Sequence, residues 1–548
     1  MVFSRLVPAI LENTRETTLE SEREYMLFGM LRRLTHHWFT SQHRKSVPPG
    51  TSDDLRLYAN AETNVQYIRD LLRHPVDLVV RRFPLTSNSA LTILYMEGLA
   101  DTERIEQFVL EPLKDYALHG HFRHNAAGLA EQLPELLAAG QVSRESCLPQ
   151  LVNKLLSGSC LLFADGWTGA MVADFKGGPY RSVDEPASEA MIRGPRTGFI
   201  ENITTNIALL RRIVVDPNLR LDSYVIGKRS KTRVVLAYVD GVVPPDLVAE
   251  VKRRLDSFSL DTVPESGAIE QLIQDSFLSP FPQIRHTERP DKVSANLYQG
   301  KVAIFIDGTP FVLLLPITFG SELHSTEDYN ERWMISTLIR ILRYICAFIA
   351  VFLPGLYIAL VEYHPGMIPS KLAFSIAGAR EGVPFPAVVE AFFMEVTLEI
   401  LREAGVRMPK QLGQTIGIVG GLVIGEAAVM AGVVSPFMVI IVAVTAISTF
   451  ALPNYSFGIS LRIIRFAVMI GAAIFGFYGL VLVYIMVNIH VTNLKSFGLP
   501  YTAPFSPTFP GDWKDLVLRA PYTTMQERPD MNNTADKVKQ KTNKGEKQ

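Results

Sequence analysis

The chain has little of what enzymes and metalloproteins are commonly built from. Its 548 residues hold three cysteines, Cys147, Cys160 and Cys346. None forms a C-x-x-C pair or stands near histidines at zinc-binding spacing, which excludes a structural zinc module and leaves the cysteines as free thiols. Neither sign of charge is in excess: 54 Lys and Arg stand against 55 Asp and Glu, net −1, so no overall field draws the chain to nucleic acid. There is no G-x-x-x-x-G-K-[ST] loop, no G-x-S-x-G elbow and no H-E-x-x-H pair. RGPRTGF at 193–199 has glycines and basic residues without phosphate-loop spacing, and reads as a turn before FIENITTNIALLRR. Nothing here calls for a metal, a cofactor or a catalytic centre, and the expectation is of a protein that is not an enzyme.

What is present is an uneven distribution of charge. From Gln411 to Leu494 only Glu426, Arg462 and Arg465 are charged, and a segment this apolar belongs in a membrane. Tyr344 to Val361 is uncharged between Arg343 and Glu362, about the length that crosses a hydrocarbon core. The N-terminal stretch lacks the continuous apolar run of a signal peptide, so the region before Arg343 is expected in the cytoplasm, and Arg340 and Arg343 beside the first span support that orientation. Further spans are expected near 433–452 and 466–489, with a Gly-rich segment at 413–431. Four crossings return the basic tail KVKQKTNKGEKQ to the cytoplasm but leave Arg462 and Arg465 outside; a re-entrant 413–431 reverses both.

The length implies two to four folding units. Ahead of the apolar block the chain repeats itself. LTILYMEG ends at Gly98 and RVVLAYVDG at Gly241; LLFADG ends at Gly166 and VAIFIDG at Gly308; Gly158 answers Gly300. Offsets of 143, 142 and 142 residues (98 to 241, 166 to 308, 158 to 300) point to a duplicated α/β unit. Asp307, between two apolar runs and followed by Gly, then reads as a hairpin residue rather than an aspartyl nucleophile, since Asp165-Gly166 repeats it. The resulting fold class is an α/β soluble region of two similar subdomains followed by an α-helical transmembrane domain. Its expected parts are an extension and linker at 1–57, subdomains at 58–190 and 191–335, a multi-pass membrane domain at 336–495, and a C-terminal segment with a basic disordered tail at 496–548.

RGPRTGFIENITTNIALLRR at 193–212, FPQIRHTERPDKV at 281–293, LIRILRYICAFIAVFLPGLYIALVEYHPGMIPSKL at 338–372, GQTIGIVGGLVIGEAAVMAGVVSP at 413–436 and SFGLPYTAPFSP at 496–507 together resemble the A subunit of the GerA-type spore germinant receptors. The resemblance covers about residues 55–525. It implies a multi-pass protein of the spore inner membrane with a two-part cytoplasmic domain, working with a transporter-like B subunit and a lipoprotein C subunit. It also implies a homo-oligomer that forms an ion channel opened by nutrients, whose release of monovalent cations starts germination. A secondary transporter and a non-channel scaffold subunit of a sporulation membrane complex are the alternatives.

Within the apolar block Gly413, Gly417, Gly421 and Gly425 recur every four residues, so on a helix they form one smooth stripe. The stripe serves helix packing or faces its symmetry mate around a pore. Glu426 follows it directly; an ionisable group there is costly, and it reads as a pore-lining carboxylate, an interfacial residue or a partner of Arg462 or Arg465. Glu395, Glu399 and Glu403 fall at i, i+4 and i+8 and read as a solvated helix face or as a cation vestibule.

Overall fold

The structure is a computed structural model describing residues 56–86, 89–118, 142–177, 193–407 and 423–539, with single positions 133, 137, 186, 189, 191 and 421. Residues 1–55 of the expected extension, 540–548 of the basic tail, and Gly413 and Gly417 lie outside the described residues.

Helix α1 (Ala61–Leu71) starts at Asn60, whose side chain accepts from the amides of Glu62 and Thr63. Strands β1 (Leu78–Thr86) and β2 (Ser89–Met96) form a hairpin. Helix α2 follows as Thr102–Ile105, a π turn at Glu106–Leu110, and Glu111–Leu118. Then come β3 (Val142–Glu145), α3 (Leu148–Leu156), β4 (Cys160–Ala164) and β5 (Ala170–Ala173), giving an antiparallel sheet ordered β1-β2-β4-β5-β3. The chain continues with α4 (Ile203–Ile213), β6 (Leu219–Ile226), β7 (Thr232–Val239), α5 (Pro245–Asp256), α6 (Ser266–Ile273), β8 (Arg285–Thr287), α7 (Pro290–Leu297), β9 (Val302–Ile306) and β10 (Val312–Leu315). Its antiparallel sheet is ordered β6-β7-β9-β10-β8.

Helices cover both faces of the second sheet. Leu236, Ile304 and Leu313 pack against Val251 of α5 and Ile269 of α6, while Val235, Phe305 and Leu314 pack against Ile207 of α4 and Val293 of α7. A sheet buried on both sides needs apolar residues at every position, which is why VVLAYV and VAIFI show no polar alternation.

Asp307-Gly308 begins the turn from β9 to β10, and Gly308 has φ +91°, which glycine adopts freely. The Asp307 carboxylate also accepts the Ile203 amide at 3.1 Å at the start of α4, and the Gly308 amide reaches the Glu201 carbonyl at 2.9 Å. Asp165 accepts the Ala61 amide at 3.1 Å in the same way at the start of α1. Asp307 is thus a turn and capping residue. Asp307→Asn keeps an acceptor and is expected to leave the thermal midpoint of the purified protein within about 1 °C of the parent. Asp307→Ala, by losing a helix-start acceptor, is expected to cost about 1 kcal/mol; a drop for Asn as large as for Ala would contradict the capping role.

Beyond the sheets, two short helices, α8 (Phe319–Glu322) and α9 (Glu327–Asn330), lead into α10 (Trp333–Ile358), which runs on through a π turn at Ala359–Tyr363. Next come α11 (Ser370–Arg380), α12 (Ala387–Arg407), a helical stretch at 423–430, α13 (Pro436–Phe450) and α14 (Tyr455–Asn493). Trp333–Tyr363 and Tyr455–Asn493 are long and apolar enough to cross a membrane.

Helix α14 is not one rod. Ser460 donates to the Pro280 carbonyl and His490 bonds Ser279 at 2.9 Å, yet 30 residues of straight helix would hold these two side chains about 45 Å apart. The reversal is at Gly476, whose φ of 61° and ψ of −136° leave the helical region. The expected span at 466–489 therefore contains a turn, and its two legs are 455–475 and 477–493.

Two apolar clusters mark the ends of the helical layer. Near the sheets, Phe281 and Ile317 meet Phe457, Leu461, Val491 and Leu494; at the far end, Ile358, Ala387, Val434, Met438 and Ala472 pack together, with Ala428 beside them. Helix α12 runs back toward the sheets, ending beside Phe450 through Arg402, while Ala428 is again at the far end. Among the described residues the chain traverses the layer along α10, α12, α13 and the two legs of α14. It returns residues 495–539 to the sheet side, where Ser496 donates to the Gln283 carbonyl at 2.6 Å.

Candidate functional site

The helical layer gathers its charges inward. On α12 the i, i+4, i+8 spacing puts Glu395, Glu399 and Glu403 on one side, and on the first leg of α14 Arg462 and Arg465, three apart, share a face. The two faces meet. Glu395 and Arg465, 0% and 1% exposed, form an ion pair, and Arg465 also donates to Thr449 Oγ1 at 3.2 Å. Glu399 holds Arg402 at 2.7 Å and Arg462 at 3.4 Å, and Glu403 holds Arg407 at 2.6 Å at the exposed end. The carboxylates are therefore graded from buried to exposed. Glu395 departs from the expected solvated face because Arg465, distant in sequence, neutralises it. Glu390, on the same helix, is also buried; it pairs with Arg380 at 3.1 Å and accepts the Ser435 amide at 2.8 Å.

With Arg462 and Arg465 engaged on α12, the reading of Glu426 as their partner is corrected. Glu426 is exposed and has no ion-pair partner among the described residues. Of the stripe, Gly421 faces open space within the chain, and a Cβ at Gly425 would meet Val439 Cγ1 at 3.4 Å.

A second charged cluster, which sequence reasoning missed, ties the layer to the sheets. Arg340 and Arg343, read above as markers of the membrane face, are buried instead. Asp328 accepts from Arg340 at 3.0 Å and from Arg343 at 2.8 Å, and Asp515 accepts from Arg340 at 2.8 Å and from the Tyr329 hydroxyl at 2.7 Å. Beside it, Glu322 accepts from Arg285 at 3.0 Å and from Asn454. Lys292 holds Glu189 at 2.6 Å; burial acts to raise the Glu189 carboxyl, but Lys292 and the Thr287 hydroxyl outweigh it and keep it below its ordinary value. The one available signal was RHTERPDK itself, whose density of charge next to apolar strands is unusual for a surface loop. Among the described residues no group of three or more His, Cys, Asp or Glu side chains is placed to hold a metal ion.

A family model described as Bacillus/Clostridium GerA spore germination protein matches residues 66–531. The chain belongs to the GerA spore germination family. It is 46% identical to spore germination protein GerLA of Bacillus cereus over 88% of this chain and 97% of that one. It is 42% identical to spore germination protein B1 of Bacillus subtilis (89% and 100%) and 43% identical to spore germination protein KA of the same species (85% and 85%). Among solved structures, the N-terminal domain of the A subunit of the Bacillus megaterium spore germinant receptor GerK3 is 33% identical, covering 50% of this chain and 99% of that one, with a TM-score of 0.39. Membership in the GerA family makes this a germination protein of the receptor A-subunit type and not an enzyme.

Proposed function

We propose that this GerA protein is the membrane subunit of a nutrient germinant receptor in the spore inner membrane. In this reading it joins a transporter-like B subunit, a lipoprotein C subunit and further copies of itself to form a nutrient-gated path for monovalent cations. Leu338, Leu342, Ile345 and Phe348 on α10 and Ile463, Ile470 and Ile474 on α14 are exposed, and such surfaces support a lipid or subunit environment. The sheets and residues 495–539 lie at one end of the layer, which supports a cytoplasmic position for both. The duplication is supported by matching details: Asn64 brackets Tyr58 through its amide and carbonyl as Asn206 brackets Ile200, and the two strand orders correspond position by position.

The observation that carries the cation path is Glu426, exposed and without an ion-pair partner among the described residues, in a stretch (Gln411–Leu494) whose other two charges, Arg462 and Arg465, are both paired. Against acyl chains a carboxylate costs about 3 kcal/mol or more; facing water between copies it costs little and attracts cations. Glu426→Gln keeps size and removes charge. Spores carrying it are expected to contain the parental amount of the protein and to release potassium at least several-fold more slowly after nutrient addition. Unchanged release at unchanged protein level would remove Glu426 from the path.

A further inference from the structure

The C-terminal segment, returning to the sheets, encloses a cavity of about 300 Å³ against the second sheet and α8. Its wall includes Lys301, Thr318, Ser321, His324, Tyr329 and Asp515. The volume is at the lower end of the range of small-molecule sites, about 300–1,000 Å³.

Most polar groups of this wall are already engaged. His324 bonds the Leu516 carbonyl at 2.8 Å through Nε2, and burial followed by repulsion from Arg340 lowers its pKa to about 3, so the ring is neutral and donates. The Tyr329 hydroxyl donates to Asp515, and the Ser321 hydroxyl donates to the Thr318 carbonyl at 2.7 Å. Arg528 is held by Asp536 at 2.7 Å. Among the buried side chains of the wall, Lys301 is the exception. It is 5% exposed, and its ammonium has no hydrogen bond or ion pair among the described residues. The carboxylate facing it from α8, Glu322, already serves Arg285 and Asn454.

We infer that this cavity is a binding site for a small anion whose carboxylate or phosphate oxygens pair with Lys301. An unpartnered cation buried beside other cations is unfavourable; burial first, then Arg285 and Lys292, bring the Lys301 amine down to about 7. An anion supplies the missing partner and holds the lysine protonated. Asp515 and Leu516 line the same cavity and belong to the segment that anchors Arg340 of α10, so occupancy bears on the base of the first long helix. The inference stands independently of the cation path.

The test uses the full-length protein in detergent, titrated with succinate and, separately, inorganic phosphate at constant ionic strength, with chloride as the control anion. At least one of the two is expected to raise Tm by several degrees over chloride. The rise should vanish in Lys301→Gln and persist in Lys514→Gln, a change at the exposed rim. The anion that acts assigns carboxylate or phosphate chemistry. Trace acetylation of the unsubstituted protein, read by mass spectrometry, keeps the test valid if Lys301→Gln fails to accumulate: the active anion should slow modification of Lys301 several-fold and leave the exposed Lys228 unchanged. No Tm response to either anion, an equal response in Lys301→Gln, or acetylation of Lys301 indifferent to both anions would overturn the site.

Discussion

Arg465→Met is expected to remove most of the protein from the membrane fraction of sporulating cells. The substitution leaves the Glu395 carboxylate fully buried without its ion-pair partner. Breaking one side of a buried pair costs about 3–5 kcal/mol, a large part of the stability of an ordinary domain. Glu395→Met should be as damaging for the converse reason. The double variant, with both groups apolar and of similar length, is expected to recover much of the lost protein, because it leaves no orphaned charge. Immunoblots of membrane fractions from the parent, both single variants and the double variant give the comparison. Single variants at parental level would mean the pair contributes nothing to folding. A double variant as depleted as the singles would mean that Thr449 and the surrounding contacts depend on the charges themselves.

Gly479→Ala is the second large effect. The two legs of α14 cross closely near the reversal: a Cβ at Gly479 would lie 1.9 Å from the Gly471 carbonyl oxygen, and one at Gly471 would lie 2.7 Å from a Val483 methyl and 3.1 Å from the Gly479 oxygen. The Gly479 overlap is with backbone, so no rotamer change relieves it, and the legs must separate. Gly476 adds a conformational restriction at φ +61°, with Tyr363 side-chain atoms 2.8 Å from the position of a Cβ. A cost beyond about 3 kcal/mol, the usual upper end for over-packed cores, is expected for Gly479→Ala. The assembled protein should fall to a small fraction of parent. Gly378→Ala, placed where a Cβ meets nothing within 4 Å, is the control and should match parent. Equal levels for the two alanines would mean that the legs do not cross as described.

Much of the two-sheet region was legible in the chain because its determinants are local. Gly98, Gly158, Gly166, Gly241, Gly300 and Gly308 all adopt positive φ, a conformation that glycine enters at little cost wherever it stands, so their spacing marked the turns before any contact was known. Asp165 and Asp307 each stand directly before one of these glycines, and Asp-Gly between apolar runs signals a hairpin. The strand faces were less legible: with both sides of the second sheet covered, apolar residues fill consecutive positions and period-two patterning disappears.

The apolar helical region shows the opposite balance. Its scarcity of charge was plain, since burial in an apolar medium is a demand on composition that holds whatever the topology. Which charges pair was not plain. Glu395 and Arg465 are 70 residues apart; the i, i+4, i+8 spacing of three glutamates was equally compatible with water, and only the facing arginines from α14 make one of them a buried partner. Arg340 and Arg343 satisfied the pattern of a membrane-edge signal, yet Asp328 and Asp515 neutralise them inside the fold. The reversal at Gly476 was hidden among Gly471 and Gly479, because glycine permits a turn but only contacts across the two legs select where it occurs. By itself, then, the sequence determined turns, apolar content and family, each a property of short stretches or of their sum. Tertiary structure alone decided the partners of the buried charges, the reversal of α14 and the lone position of Lys301, because each depends on groups that folding brings together from distant parts of the chain.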